Sequence, residues 1–260
     1  MRPSVLILGY GVVGRNLHKV FQWADIEDPN LGMRRTGNLP FDVAFVCVPT
    51  PNKPDGRVDI SYVRDATSKA NAQVVVIKST VPPGTTDALV DELGIPIVFS
   101  PEFEGETLSS KVPTNFFILG GYKAWSEKVA EAIKYATTGE CKIYFTSSRL
   151  AELCKYMENS FLAMKVSFCN EFYRVAKKMG ISYDELREAW LLDPRIGRSH
   201  TYVFEDTPYW SSKCLDKDVP AIIAWAEREL SYEMKLMKNV VEVNKGHKNE
   251  SIQTGEDHGT

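Results

Sequence analysis

The chain has 260 residues, 43% apolar and 25% charged, with a formal net charge of −3. These proportions suit a globular protein with its own core, and the acidic balance argues against a nucleic-acid partner. No apolar run approaches the roughly 20 residues that span a bilayer, so no membrane partner is expected.

The N-terminus enters an apolar run at once, with no charged leader or cleavage site, and no signal peptide is expected. The run, SVLIL at 4–8, reads as a strand. It closes on Gly9, Gly11 and Gly14, and RNLHKVF then reads as a short helix. WADIED fits a second strand ending at Asp28, before Pro29. Further β-branched runs lie at 41–49, 72–80 and 95–101, alternating with helix-compatible stretches at 61–70 and 85–93. TNFFILGG and CKIYFTS flank a helix at 123–137. Near-continuous apolar strands alternating with helices predict a doubly wound α/β domain on a buried parallel sheet, residues 1–147.

The pattern then changes. Leu150, Leu153, Met157, Phe161, Met164, Phe168, Phe172, Val175 and Met179 recur in steps of three and four. They predict one amphipathic helix over 148–179, roughly 45 Å long, stopped by Gly180. Its apolar stripe is a core or dimer surface. ISYDELREAWLL reads as a shorter helix capped by Ser182, with Glu185 three residues on. Residues 193–216 read as irregular, and DVPAII to VEVN as a last helix or helix pair. The expected organisation is therefore an all-helical region over 148–245 and a polar, disordered tail over 246–260.

The glycines carry the first chemical signal. Gly-x-Gly-x-x-Gly after a strand and before a helix is a Rossmann-type dinucleotide fingerprint, with the pyrophosphate at the helix N-terminus. The candidate cofactor set here is Gly9, Gly11, Val12, Val13 and Gly14. An acid ending the second strand would hold the ribose and favour NAD. Asp28 stands there, with Asp25 as the fallback. The second signal is Cys214, set between Lys213 and Lys217, which favour a thiolate. The five cysteines (Cys47, Cys141, Cys154, Cys169, Cys214) form no C-x-x-C pair and the four histidines have no ligand spacing. No metal is expected, and reduced thiols suit a cytoplasmic location.

CVPTP (47–51), STVPPGTT (79–86), SPEF (100–103), LAELCKYMENSFLAMKVSFCNE (150–171), DPRIG (193–197) and CLDKD (214–218) occur in one order. In these motifs the chain resembles the UDP-glucose/GDP-mannose dehydrogenase family, over roughly residues 4–245. The resemblance implies oxidation of a sugar-nucleotide primary alcohol to a carboxylate in two NAD-linked steps, with UDP-glucose the favoured substrate. It makes Cys214 the nucleophile that holds the aldehyde as a thiohemiacetal and then as a thioester. Asp218 and Thr80 would orient the hydrolytic water, with Asp218 a candidate base. Lys155 and Asn159, at i and i+4, would stabilise the developing oxyanion. Glu102 and Glu106 fall at substrate-facing positions, for proton transfer or water positioning. Pro49, Thr50, Thr80, Glu102 and Lys217 fall at positions lining the cofactor. Arg195 matches an arginine that reaches the sugar of the partner subunit, so a homodimer through the long helix is expected.

Three departures qualify these implications. Ser211 and Ser212 stand where the family has two glycines. Glu104 and Gly105 replace leucine and arginine after PEF. The family's further α/β domain, which grips the nucleotide, has only residues 246–260 opposite it. The expectation is a chain lacking that domain, or one that receives it from a separate chain. Two other readings stay open: a non-catalytic NAD-binding or dimerisation protein of this descent, and a two-electron dehydrogenase of β-hydroxyacid type.

Overall fold

The computed structural model describes residues 1–36, 40–103, 116–137 and 141–256, with side chains to Ser251. The chain forms two compact units, Met1–Tyr156 and Met157–Thr260. Their boundary falls inside the long helix, whereas the sequence suggested a division at its start.

The first unit is built on seven strands: β1 (Val5–Leu8), β2 (Asp25–Glu27), β3 (Phe41–Val46), β4 (Ala72–Ile77), β5 (Ile97–Phe99), β6 (Phe116–Gly120) and β7 (Lys142–Thr146). Their spatial order is β2-β1-β3-β4-β5-β6-β7. The pairings from β2 to β5 are parallel, as expected. The β5–β6 pairing is antiparallel, through Phe99 and Gly120, so β6 and β7 run against the rest. The sheet is thus the mostly parallel, doubly wound one that the alternating apolar runs indicated, with a single antiparallel pairing at β5–β6. Apolar content reports burial on both faces but not strand direction.

Period-two alternation divides the core. Val5, Ile7, Val43, Phe45, Val74 and Val76 face α1 (Val12–Val20) and α4 (Lys123–Ala136), packing on Leu17, Phe21, Val129 and Ile133. Leu6, Leu8, Ala44, Val46, Val75 and Ile77 pack with Val63 of α2 (Ser61–Ser68) and Leu89 of α3 (Thr85–Leu93). Strands buried on both faces read as continuous apolar runs for this reason.

The long helix is α5, Ser148–Lys178, with 31 residues. Its Glu152 is fully buried. The Glu152 carboxylate accepts from Gly84 N (2.6 Å), Thr86 N (2.8 Å) and Thr86 Oγ1 (2.7 Å). The N-cap of α3 is Gly84, which has no side chain to offer, so a carboxylate from another helix supplies the missing acceptor.

In the second unit, α5 is followed by α6 (Tyr183–Trp190), α7 (Leu215–Leu230) and α8 (Lys235–Glu256). Ser182 caps α6, accepting from Glu185 N. Ala163, Leu215, Val219, Ile223, Met237 and Val240 form a core around Trp210. The expected polar tail differs: α8 continues helically to Glu256. His247 within it is buried, and Arg174 of α5 pairs with Glu250. A polar sequence hides this segment because its anchors are themselves polar. The α5 stripe also differs from a core. Leu150, Leu153, Met157, Phe161, Phe168, Phe172, Val175 and Met179 are all exposed, Met157 by 75%. Among the described residues no helix is long and apolar enough to cross a membrane.

Replacing Glu152 by alanine would strand three donors and lower stability by about 3 kcal/mol, seen as a lower urea midpoint at unchanged slope. Burial pushes the Glu152 carboxyl above its ordinary range, against the pull of the Thr86 and Gly84 hydrogen bonds. The folded chain therefore holds this proton more tightly than the unfolded chain. Ionisation opposes folding above the folded pKa, and that opposition vanishes as pH falls through it. Wild type should accordingly gain stability relative to Glu152→Gln as pH falls through the raised folded pKa toward the ordinary glutamate range. A constant difference throughout that fall in pH would contradict the assignment.

Candidate active site

In the first unit the carboxyl ends of β1 to β5 carry the candidate cofactor groups. Gly9 follows β1 at φ +91°, and a Cβ there would lie 2.5 Å from the Cys47 carbonyl oxygen. A Cβ on Gly14 would lie 2.1 Å from Gly9 O. Both positions therefore exclude every other residue. A Cβ on Gly11 would meet nothing within 4 Å. Gly11 is the N-cap of α1 and makes no side-chain cap. The first turn, with Val12 and Val13, opens unsatisfied N–H groups toward that space. Asp28 directly follows β2. Its carboxylate accepts from Tyr10 N (2.8 Å) within the glycine loop and from Asn30 N (3.0 Å). Asp25 begins β2, paired with Leu6, and accepts from Thr36 N at 2.8 Å. Strand register thus separates the two acids: Asp28 lies at the glycine-loop end of β2 and Asp25 at the other.

Pro49 is exposed and Thr50 buried after β3, and Thr80 is half-buried after β4. Ser79 Oγ donates to Val48 O at 2.7 Å and ties these two loops together. The SPEF segment after β5 is gripped by two lysines. Lys78, almost wholly buried, pairs with Glu102 at 3.3 Å and donates to Pro101 O at 3.1 Å. Lys155 Nζ lies 5.2 Å from the Phe103 ring centroid, a cation–π contact. The sequence reading missed Lys78, although a lysine closing the run VVVIK was its signal: lysine is rarely buried without a partner. Glu104, Gly105 and Glu106 lie outside the described residues.

The second unit holds Cys214. It occupies the N-cap of α7, is exposed, and its carbonyl accepts from Asp218 N at 2.8 Å. Asp218 is therefore one helical turn behind it, and is buried. One Asp218 carboxylate oxygen accepts from Asn159 Nδ2 at 2.6 Å, and the other pairs with Lys217 Nζ. The sequence left these four as separate candidates; folding joins Asn159, Lys217 and Asp218 in one polar cluster, one turn from Cys214. Ser212 Oγ accepts from Leu215 N (3.0 Å) and Ser211 Oγ donates to Asp216 (3.3 Å). Of the two serines in the glycine positions, Ser212 thus takes up a first-turn N–H of α7 and Ser211 binds a first-turn side chain. Arg195 is exposed and makes a forked pair with Asp193, at 2.9 and 3.0 Å from Nε. That contact holds the Asp193 carboxyl below its ordinary range. Lys155 and Asn159 are four residues apart on α5, one in each unit.

The other cysteines are chemically distinct. Burial pushes the Cys47 thiol up to about 12 and also raises those of Cys141 and Cys169. Among the described residues no group of three His, Cys, Asp or Glu side chains could hold a metal ion.

Comparison with known proteins matches residues 30–138 to the NAD binding domain, and residues 149–246 to the central domain, of the UDP-glucose/GDP-mannose dehydrogenase family. The chain belongs to that family. Its cofactor is accordingly NAD, and the glycine cradle, the open α1 N-terminus and the adjacent Asp28 fit a dinucleotide. A UDP-glucose 6-dehydrogenase of Rickettsia prowazekii is 32% identical over 219 residues, covering 79% of this chain and 49% of that protein. One of Haloferax volcanii is 32% identical over 234 residues, covering 80% and 53%. The chain thus spans about half the length of the curated relatives it matches. The solved UDP-glucose dehydrogenase of Pyrobaculum islandicum superposes with a TM-score of 0.80 at 26% identity, over 99% of this chain and 71% of that one.

Iodoacetamide under native conditions should label Cys214 at least tenfold faster than Cys47 or Cys169, as read by peptide mass spectrometry, because only the thiolate attacks and burial suppresses it. Equal labelling would refute the contrast between the exposed and the buried thiols.

Proposed function

We propose that this chain is a NAD-dependent nucleotide-sugar 6-dehydrogenase that oxidises the primary alcohol of a UDP-sugar, UDP-glucose favoured, to the carboxylate. The observation that carries the reading is the α7 N-terminus: an exposed thiol with a buried, hydrogen-bonded carboxylate one turn behind it. A carboxylate held this way suits water activation and cannot swing away. The alternative two-electron chemistry needs neither group.

NAD, when bound, supplies the hydride acceptor for each oxidation. The backbone of Gly9, Gly11 and Gly14, with Val12 and Val13, would cradle its pyrophosphate, Asp28 would take the ribose hydroxyls, and Pro49, Thr50, Thr80, Glu102 and Lys217 would line it. Cys214 Sγ adds to the aldehyde carbon and gives a thiohemiacetal, its oxygen becoming the hydroxyl. At the acid level the same carbon is bound to sulfur as a thioester. Water then attacks the carbonyl, Asp218 accepts its proton with Thr80 orienting it, and the thiolate leaves as the carboxylate forms. Lys155 and Asn159 stabilise the oxyanion. Glu102 and Glu106 position substrate or water, and Arg195 serves the partner's sugar.

Purified chain given NAD and a panel of UDP- and GDP-sugars should release two NADH per sugar oxidised. Cys214→Ser should lose at least 100-fold in turnover, and Asp218→Asn about 10²-fold or more. Full turnover in Cys214→Ser would exclude the thioester route. The exposed α5 stripe supports a homodimer. Light scattering should give twice the chain mass, and Met157→Glu with Phe161→Glu should give the monomer. A monomeric wild type that is fully active would overturn the dimer.

A further inference from the structure

Four residues before Cys214, Trp210 is held with unusual completeness. Its ring is buried among Ala163, Leu215, Val219, Ile223, Met237 and Val240, and its indole Nε1 donates to Ser167 Oγ at 2.9 Å. Its backbone is held by one side chain. Trp210 N donates to Asn244 Oδ1 at 2.8 Å, and Asn244 Nδ2 donates to Trp210 O at 2.9 Å. Asn244 is itself buried, on α8. A primary amide thus pairs with this residue as a neighbouring strand would. Trp210 lies in an irregular stretch with no ladder of its own, and a buried N–H and C=O both need partners. Alanine at 244 would leave both without one, and aspartate would leave the carbonyl without one.

Only Ser211, Ser212 and Lys213 separate this anchor from Cys214. Both serine hydroxyls bond into the first turn of α7. A Ser-Ser-Lys tether has fewer backbone states than one containing glycines, so displacement of Trp210 passes to Cys214 and is not absorbed on the way. We infer that Asn244 is a positioning residue for Cys214, acting through the backbone of Trp210. Its catalytic consequence rests on Cys214 being the nucleophile, as proposed above; the geometric link does not.

The test reads the thiol directly. In the full chain, a cysteine held at the N-cap of α7 sits where the helix terminus favours a thiolate, and a released tether spreads it away. At pH 8.0, Asn244→Ala should lower the iodoacetamide rate at Cys214 at least threefold. Asn244→Asp, of the same shape but with no donor for Trp210 O, should move the same way and covers the case in which the alanine variant fails to fold. Ala176→Gly, buried in the separate Cys169–Tyr183 cluster, is a control for lowered thermal stability and should stay within 1.5-fold of wild type. Where wild type turns over sugar, the Asn244 variants should lose kcat with the KM for NAD unchanged within twofold. Wild-type rates in both Asn244 variants, or an equal drop in Ala176→Gly, would overturn the inference. An inactive wild type would count against the dehydrogenase reading alone, and the alkylation ratio would still decide this one.

Discussion

A buried carboxylate ties the long helix to the loop after β4. Glu152 accepts two backbone N–H groups and a hydroxyl from Gly84 and Thr86. The loop could not satisfy those donors locally, because Pro82 and Pro83 fix its backbone and Gly84 has no side chain. The segment carrying Thr80 is therefore fastened to the helix carrying Lys155, which lies three residues beyond Glu152 on α5. The acceptor is costly to bury, as its raised carboxyl pKa indicates, and an apolar residue would be cheaper to bury there. None could satisfy the three donors, so the carboxylate is what keeps loop and helix in one register.

The second unit relies on a comparable device at smaller scale. The approach to α7 is Trp-Ser-Ser-Lys-Cys, with serines where the family to which the chain belongs has glycines. Serine enters the left-handed conformations that glycine allows only at a cost, but it brings hydroxyls. One receives the Leu215 N–H and the other binds the Asp216 carboxylate, so the residues that restrict the tether are also bonded into the first turn of α7. The sulfur of Cys214 remains exposed while Asp218 one turn behind is buried and fully paired. An exposed cysteine, backed by an immobile carboxylate, follows from where the helix begins.

The sequence made the strands, helices and glycine cradle legible because these follow local rules. Period-two burial, steps of three and four, and a glycine fingerprint need no knowledge of distant residues. Where the reading stopped short, the missing information was non-local. The reversal of β6 shows in its antiparallel pairing with β5, which its apolar content does not report. The last turns of α8 look like a polar tail until His247 is seen buried and Glu250 paired with Arg174. Glu152, Asn244 and Lys78 gave little signal because each satisfies groups brought near it only by folding. Register puts Asp28 beside Tyr10 N and Asp25 at the opposite end of β2, a distinction that spacing along the sequence does not show.

The composition of α5 is inverted relative to an ordinary surface helix. Most of its buried positions are small or polar (Ser148, Ala151, Glu152, Asn159, Ser160, Ala163, Ser167, Cys169, Asn170 and Ala176), with the fully buried Tyr156 the large exception. Eight large apolar side chains from Leu150 to Met179 are exposed, while Leu162, Met164 and Val166 pack against the core around Trp210. Small buried residues let the helix backbone pack closely, while Glu152 and Asn159 bond the neighbouring loop and α7. Eight large apolar residues on one exposed face are more than scattered surface hydrophobics require. Complete burial of such side chains contributes about 1.5–3 kcal/mol each. Even half of that gain over the stripe is on the order of 10 kcal/mol, comparable with the cost of association. A second copy laying the same stripe against this one would bury both faces by a single symmetric contact. The unsatisfied surface thus agrees with the dimer that the exposed Arg195 requires if it is to serve a neighbouring subunit.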